Sequence, residues 1–198
     1  MAGNATEHEE FARLVLLACH DLRTPLATVL GFTQTLARLE ELGGDPAVRY
    51  VEMIDAASGQ LGELVDELAL GARIEAGRYE PVREELDTLE LARSVAEHLG
   101  EGRVEASGEG AVVEVDAEAT RRAVSALARC ALRHGGLERV KLTAVGQELE
   151  LVPVTAAAAP VLLGEDLRDL GAAIAGRQLR AQGGSLELDG HTLRIRPA

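Results

Sequence analysis

A segment near the amino terminus brings together five side chains suited to phosphoryl-transfer chemistry: His20, Asp21, Arg23, Thr24 and Pro25. Histidine changes charge near neutral pH, and its neutral imidazole is a nucleophile that can attack a phosphoryl group. Asp21 is placed to take or to orient the other ring proton. In a helix, Thr24 lies one turn after His20 on the same face. Pro25 leaves the carbonyl of Asp21 without a helical donor and crowds it, so we expect the helix to bend just after the histidine.

The run His-Asp-Leu-Arg-Thr-Pro-Leu that begins at His20 resembles the phosphoacceptor box of bacterial histidine kinases at all of its positions. A histidine paired in the core or solvated on the surface is the competing interpretation, and it does not account for the neighbouring Asp, Arg, Thr and Pro. The resemblance implies that His20 carries the phosphoryl group and that Asp21 acts as a base or fixes the imidazole tautomer. We therefore predict His20, Asp21 and Thr24 as catalytic residues. Arg23, as an ion-pair partner, and Pro25 would support them.

Composition and charge narrow the possible classes of protein. The chain has 198 residues, enough for one domain or two small ones. With 46% hydrophobic residues and 2% aromatic residues, its core must be built from Leu, Val and Ala. A net charge of −13 argues against nucleic acid as a partner, because phosphates need neutralising Lys and Arg. The two cysteines, Cys19 and Cys130, show neither a disulfide framework nor metal-ligand spacing, so we predict two small buried apolar side chains and no metal.

Targeting signals are not evident in the sequence. We find no apolar run approaching the roughly 20 residues needed to cross a bilayer, and no signal peptide. We therefore expect a cytoplasmic protein without membrane contact. If the chain is a complete gene product, it would have no sensor of its own.

Residues 1–78 are predicted to form a helical hairpin. Thr6 and Glu9 make a capping box at the start of the first helix, and residues 43–46 (Gly-Gly-Asp-Pro) form a turn before the second. The apolar stripe of such a hairpin needs cover, and a second copy would supply it by forming a four-helix bundle across a two-fold axis. We therefore expect a homodimer. The stretch 72–78 also resembles the end of the histidine kinase dimerisation domain, with Gly77 as a left-handed helix cap.

Residues 79–198 are predicted to form an α+β sandwich with helices on one face of a mixed sheet. The elements expected from periodicity are an extended connector at 79–87, helices at 88–99, 117–133 and 166–181, two strands at 103–106 and 112–115 around a glycine-bearing turn, and hairpins at 140–144 with 149–154 and at 186–188 with 193–195. Asp116 is the expected cap of the second of these helices.

This order of elements resembles the ATP-binding domain of histidine kinases, but the nucleotide-binding positions differ. The metal-binding Asn of that family is Cys130 here, and a thiol is a poor ligand for Mg²⁺. Val154 replaces the Asp that binds adenine, and residues 156–159 are alanines where the family has glycines. Asp169 lies at the phosphate-binding turn, where its charge would repel a triphosphate. The segment between Val154 and Asp166 is too short for the family's flexible lid. We therefore expect no ATP binding and no cofactor, while an unrelated α+β fold is the alternative interpretation.

Two functional hypotheses follow from these features. The first is a histidine phosphotransferase that exchanges a phosphoryl group between His20 and the receiver domain of a response regulator, which brings its own Mg²⁺. An upstream histidine kinase would be a further partner. The second is a response-regulator phosphatase or regulatory scaffold, in which Asp21 and Thr24 orient a water molecule. An active sensor kinase with divergent motifs is a third interpretation.

Overall fold

The chain divides into two compact units, Met1–Ala69 and Leu70–Ala198. The computed structural model describes residues 2–38, 45–100 and 102–198, without the side chains of 2–10, 37, 38, 45 and 46. The boundary predicted from sequence, at residue 78, falls inside the second unit. The predicted turn residues Gly43 and Gly44 lie outside the described part of the chain.

The first unit is built from two long helices, α1 (Ala2–Arg38) and most of α2 (Asp45–Glu75). Helix α1 begins four residues before the predicted cap Thr6, because Ala2 and Ala5 are strong helix formers. The rings of Phe32 and Tyr50 stack with centroids 5.4 Å apart, so the two helices meet as an antiparallel hairpin. The fold of this unit therefore agrees with the sequence prediction.

The hairpin exposes large apolar side chains on both helices. Leu16 is 70% exposed, and Leu30 and Val51 are 51% and 56% exposed. Leu14, Ala18 and Ala57 are buried by contrast. One face of the hairpin is therefore covered within the chain, and apolar surface remains outside it.

Within the described residues, the segment Phe11–Leu36 of α1 is long and apolar enough to cross a membrane by length and composition. The sequence expectation that no run approaches this length is therefore wrong by length and composition, although three charged residues interrupt the stretch. Those residues are Arg13, Asp21 and Arg23, whose charges would be costly in hydrocarbon. Length and composition fit equally a bundle helix whose apolar face packs against protein.

The last turn of α2 belongs to the second unit. Arg78 N donates to Arg73 O at 2.8 Å and Gly77 N to Ile74 O at 3.0 Å, with Gly77 at φ 62°. This is the left-handed cap predicted from the sequence. Arg177 Nε pairs with Glu75 Oε1 at 3.0 Å, which fixes the helix end within the second unit.

The second unit is a two-layer α/β sandwich. Its described elements are β1 (Glu84–Asp87), α3 (Thr88–Leu99), β2 (Val104–Gly110), β3 (Val112–Val115), α4 (Ala117–Gly135), β4 (Val140–Gly146), β5 (Glu148–Val152), α5 (Ala159–Leu162), α6 (Leu170–Gln182), β6 (Ser185–Asp189) and β7 (Thr192–Arg196). In this part of the chain, five strands form a mixed sheet of order β2-β4-β5-β7-β6, and β1 pairs with β3 separately. The predicted fold class, an α+β protein with a helical hairpin and a small sheet domain, is confirmed.

Alternation of side chains explains the two layers. Leu149 and Leu151 of β5 point into the core with Leu193 and Ile195 of β7, and the helices α3, α4 and α6 cover them. Charged residues occupy the intervening positions. Arg194 Nε, for example, pairs with Glu150 Oε1 at 3.4 Å on the solvent face. One face of the sheet is therefore buried and the other is hydrated.

Strands β2 and β3 differ from the sequence prediction. They do not form a hairpin with each other: β2 pairs in parallel with β4, and β3 pairs antiparallel with β1. A single residue, Ala111, separates them, and a hairpin needs at least two residues to reverse the chain. Ala111 N donates to Gly146 O at 3.1 Å instead, so the chain passes from one sheet to the other.

Helix α6 begins at Leu170 rather than at the predicted Asp166. The backbone N–H groups of Glu165 and Asp166 donate to Pro160 O at 2.8 Å and 3.0 Å, which closes a turn after the short helix α5. Asp169 is extended, at φ −141°, and caps the new helix. The predicted helix was therefore too long at its start, and α5 was not predicted.

Gly108 is a position where the fold requires glycine. It lies opposite Ala144 in β2 at φ 104°, and a Cβ there would overlap the Ala144 carbonyl oxygen. We expect Gly108→Ala to lower the free energy of unfolding by about 2–4 kcal/mol, the sum of backbone strain and steric overlap. Gly136→Ala is the matched control, because Gly136 also has positive φ, at 62°, but open space around its Cα. It should cost only about 1–2 kcal/mol. Urea unfolding of the full chain measures both, and equal losses would contradict the predicted overlap.

Candidate functional site

His20 lies on α1 with its imidazole directed to solvent. Its side chain is 78% exposed, and that of Asp21 is 23% exposed. His20 Nδ1 and Asp21 Oδ1 are 3.1 Å apart, within hydrogen-bond distance. An ionised carboxylate can only accept, so Nδ1 carries the proton in this contact and the lone pair of the neutral ring lies on Nε2. The geometry thus presents Nε2 as the nucleophilic nitrogen.

The other predicted site residues lie on the next turn of α1. Thr24 is exposed and Pro25 is buried, while the helix continues through both to Arg38. Because Pro25 has no N–H, the carbonyl of Asp21 lacks its backbone donor from this residue. Thr28 Oγ1 donates to the carbonyl oxygen of Thr24 at 3.1 Å. The side chain of Thr24 itself lies on the exposed surface of the helix. The structure thus places His20 and Thr24 on one helix, four residues apart.

Arg23 and Cys19 differ from their predicted roles. Arg23 is exposed and forms no ion pair with the described residues, so its predicted structural pairing has no support there. Cys19 is exposed, not buried as predicted. Cys19 follows buried Ala18 on α1, and the next residue along a helix points about 100° away, so Cys19 lies beside His20 on the exposed part of the surface.

In the second unit, the positions compared with nucleotide-binding residues lie in the core or at a capped helix end. Cys130 on α4 is fully buried in the main apolar cluster, together with Val154. Burial and, second, the Asp169 carboxylate raise the pKa of the Cys130 thiol to about 12, so this group is neutral at physiological pH. A neutral buried thiol does not fit Mg²⁺, which binds oxygen ligands and retains water.

The start of α6 is occupied by its own capping residue. Asp169 Oδ1 accepts from Ala172 N at 3.0 Å. Asp169 Oδ2 lies 3.2 Å from His134 Nε2 and 3.5 Å from Arg133 Nη1. A helix start binds phosphate through free amides and its positive dipole end, and here the Asp169 carboxylate accepts from one of these amides and lies at the positive end. The residues at this helix start therefore do not fit the phosphates of a nucleoside triphosphate.

The segment between β5 and α6 is packed rather than open. Helix α5 contacts α4 and α6, and its Val161 and Leu162 are buried in the apolar cluster. Thr155 Oγ1 accepts from Ala158 N at 3.3 Å at the start of this segment. A lid that covers a nucleotide must be able to open. Burial of Val161 and Leu162 disfavours such a movement of this segment.

A cluster that sequence reasoning missed joins α4 to α6. One ligand atom from each of Cys130, His134 and Asp169 lies within 4.8 Å of the other two. Cys130 and His134 are four residues apart, a spacing that places two side chains on one helical face and could have been recognised. Asp169 carried no such signal, because only the packing of the two helices brings it near.

Capping by Asp169 can be separated from its charge. We expect Asp169→Ala to lower the free energy of unfolding by about 1–2 kcal/mol, because the N–H of Ala172 in the first turn loses its acceptor. Asp169→Asn keeps a capping oxygen and should cost clearly less. Urea unfolding of the full chain compares the two variants, and equal losses would show that capping is not what Asp169 contributes.

Comparisons with known proteins place these features in a family. Residues 12–77 match the His Kinase A (phospho-acceptor) domain. The chain is 30% identical over 195 residues to the histidine protein kinase DivJ of Caulobacter vibrioides, covering 89% of this chain and 32% of DivJ. It is 34% identical over 86 residues to an uncharacterized sensor-like histidine kinase of Rhizobium meliloti, covering 42% of this chain and 16% of that protein. The chain thus spans about a third or less of the length of these relatives.

Solved structures agree on the fold. The Acinetobacter baumannii histidine kinase AdeS has a TM-score of 0.62 at 19% identity, covering 89% of this chain and 97% of that one. Full-length ShkA, solved in complex with AMPPNP, has a TM-score of 0.55 at 23% identity, covering 93% of this chain and 44% of that one. With a phosphoacceptor domain, histidine kinase relatives and the fold of both units in agreement, this chain belongs to the bacterial histidine kinase family.

Proposed function

We propose that this chain is a histidine phosphotransferase of a two-component system, which accepts and donates a phosphoryl group on His20 without binding ATP. The observation that carries the proposal is the exposed imidazole whose Nδ1 is held 3.1 Å from Asp21 Oδ1. The partner that fits this chemistry is the receiver domain of a response regulator, whose phosphorylated aspartate is the donor or acceptor.

The transfer step needs few groups from this chain. His20 Nε2 attacks the phosphorus of the receiver's phospho-aspartate, so that an N–P bond forms as the P–O bond breaks and the aspartate carboxylate leaves. Asp21 keeps the proton on Nδ1 and stabilises the positive charge that grows on the ring. Mg²⁺ comes from the receiver. The reverse step returns the phosphoryl group to a second receiver.

The absence of ATP chemistry is proposed from the second unit. Cys130 in the apolar core offers no oxygen ligand for Mg²⁺, and Asp169, the cap of α6, places a carboxylate where phosphates would bind. The phosphoryl group would therefore originate in another protein, a histidine kinase that phosphorylates the first receiver. We further propose that the chain acts in the cytoplasm, where receivers are found.

A homodimer is proposed from the apolar surface of the hairpin. Leu16, Leu26 and Leu30 on α1 and Val48 and Val51 on α2 are each 47–70% exposed. Exposed apolar surface on an isolated hairpin is unfavourable, and a second copy related by two-fold symmetry would cover it.

A phosphatase is the second candidate, favoured by the exposed position of Thr24 one turn after His20. In that function, Asp21 and Thr24 would orient a water molecule against the receiver's phospho-aspartate. The two functions differ in which substitution abolishes them. An active kinase is the third outcome that an experiment must separate.

The test is transfer from a radiolabelled phospho-receiver to the purified chain, beside a lane with labelled ATP alone. We expect label on the wild type, none on His20→Ala, and unchanged label on His98→Ala, the control for an exposed histidine elsewhere. Asp21→Asn should slow transfer by at least about tenfold, because the imidazole loses its orienting carboxylate.

The remaining outcomes contradict the proposal in distinguishable ways. Label released as free phosphate, with strong loss of the reaction in Thr24→Ala and little in His20→Ala, would establish the phosphatase. Label taken by the chain directly from ATP would show that the second unit binds nucleotide. Label retained on His20→Ala would show that His20 is not the acceptor.

A further inference from the structure

Three side chains with metal-binding chemistry meet in the second unit, at a place that the phosphotransfer reaction does not use. Cys130 and His134 lie one helical turn apart on α4, and Asp169 lies immediately before α6. Their ligand atoms are within 4.8 Å of one another, and His134 Nε2 is 3.2 Å from Asp169 Oδ2. We propose that Cys130, His134 and Asp169 bind one zinc ion that joins α4 to the start of α6.

The spacing of the three atoms fits a tetrahedral ion with small side-chain movements. Zinc–ligand bonds of about 2.0–2.3 Å place neighbouring ligand atoms of a tetrahedron about 3.3–3.6 Å apart. The distance from His134 Nε2 to Asp169 Oδ2 is already 3.2 Å, so this pair needs almost no rearrangement. The sulfur of Cys130 lies within 4.8 Å of the ligand atoms of both partners, so it must move closer by about 1 Å or less to reach the tetrahedral spacing.

The type of ligand selects the metal. A thiolate with an imidazole and a carboxylate is a combination that zinc binds, whereas Mg²⁺ and Ca²⁺ bind oxygen ligands. The same cysteine that disfavours a nucleotide-bound Mg²⁺ therefore favours a softer ion. Binding replaces the S–H bond of Cys130 by an S–Zn bond, and the released proton passes to solvent.

Asp169 can bind the ion and still cap its helix. Its Oδ1 accepts from Ala172 N, so the capping bond persists while Oδ2 turns to the metal. Zinc would displace the contact between Oδ2 and Arg133 Nη1, which is 3.5 Å long and belongs to an arginine side chain that is 68% exposed. Little stability is lost with a contact of that kind.

Access and coordination number indicate a site with one exchangeable position. The side chain of His134 is 17% exposed, so the cluster reaches the surface although Cys130 is fully buried. Three protein ligands leave the fourth corner of the tetrahedron to water or to an anion. The ion would connect α4 to the start of α6, and this inference does not depend on the proposed phosphotransfer.

The test is metal titration of the full-length, reduced chain after treatment with a chelator. Co²⁺ is the spectroscopic probe, because a thiolate ligand gives a charge-transfer band and a tetrahedral site gives strong visible absorption. We expect one Co²⁺ per chain, displaced by Zn²⁺, and a rise in melting temperature with added Zn²⁺. Competition with a chelator of known affinity then gives the zinc dissociation constant.

Four variants separate this site from other metal-binding residues. Cys130→Ser, His134→Gln and Asp169→Asn should each weaken Zn²⁺ binding by more than roughly a hundredfold, because loss of a direct ligand exceeds the effect of an outer-shell change. Cys130→Ser should also abolish the charge-transfer band. Cys19→Ser is the matched control, since it removes the exposed thiol and should change neither quantity.

Several results would overturn the site. The wild type, which needs no substitution to fold, could show no thiolate band with Co²⁺. The band could persist in Cys130→Ser or disappear in Cys19→Ser. Unchanged zinc affinity in Asp169→Asn, a variant that keeps the helix cap, would remove the carboxylate from the site and contradict the proposal.

Discussion

Burial of α4 is the constraint on which the second unit depends. This helix contacts α3, α5 and α6 and faces the sheet, and most of its residues from Ala117 to Leu132 are buried. Small side chains make this possible, because Ala and Cys let neighbouring backbones approach closely without leaving voids. Any polar group on this face must be paired or absent. Cys130 satisfies that requirement as a neutral thiol, whereas a hydrated metal with a nucleotide would not.

The same constraint explains the role of Asp169. A carboxylate that is nearly buried needs partners, and it finds Ala172 N on its own helix and His134 on α4. Capping α6 in this way uses the amide of Ala172, which would otherwise be free to bind an anion. The cluster of Cys130, His134 and Asp169 is thus a consequence of this packing arrangement.

The segment from His20 to Leu26 is exposed at its reactive side chain, in contrast to the buried face of α4. The His20 side chain is exposed, and the carboxylate of its neighbour Asp21 on the same helix lies 3.1 Å from its Nδ1. Local sequence can specify such a site, because residues at neighbouring positions and one turn apart on a helix have fixed relative positions. Pro25 acts at the same place, because it has no N–H to donate to the carbonyl of Asp21.

Sequence alone determined the features that depend on neighbours in the chain. These include the two long helices, the His20 to Leu26 run, the cap at Asp116 and the left-handed end at Gly77, since each depends on a few consecutive residues. Tertiary structure decided what depends on distant residues. Strands β2 and β3 pair with different partners, and α6 begins after the cap Asp169 rather than at Asp166. Cys19 is exposed, and Asp169 lies near Cys130 and His134. The physical reason is that pairing, burial and cross-helix contact are properties of packed surfaces, which periodicity along one chain segment cannot specify.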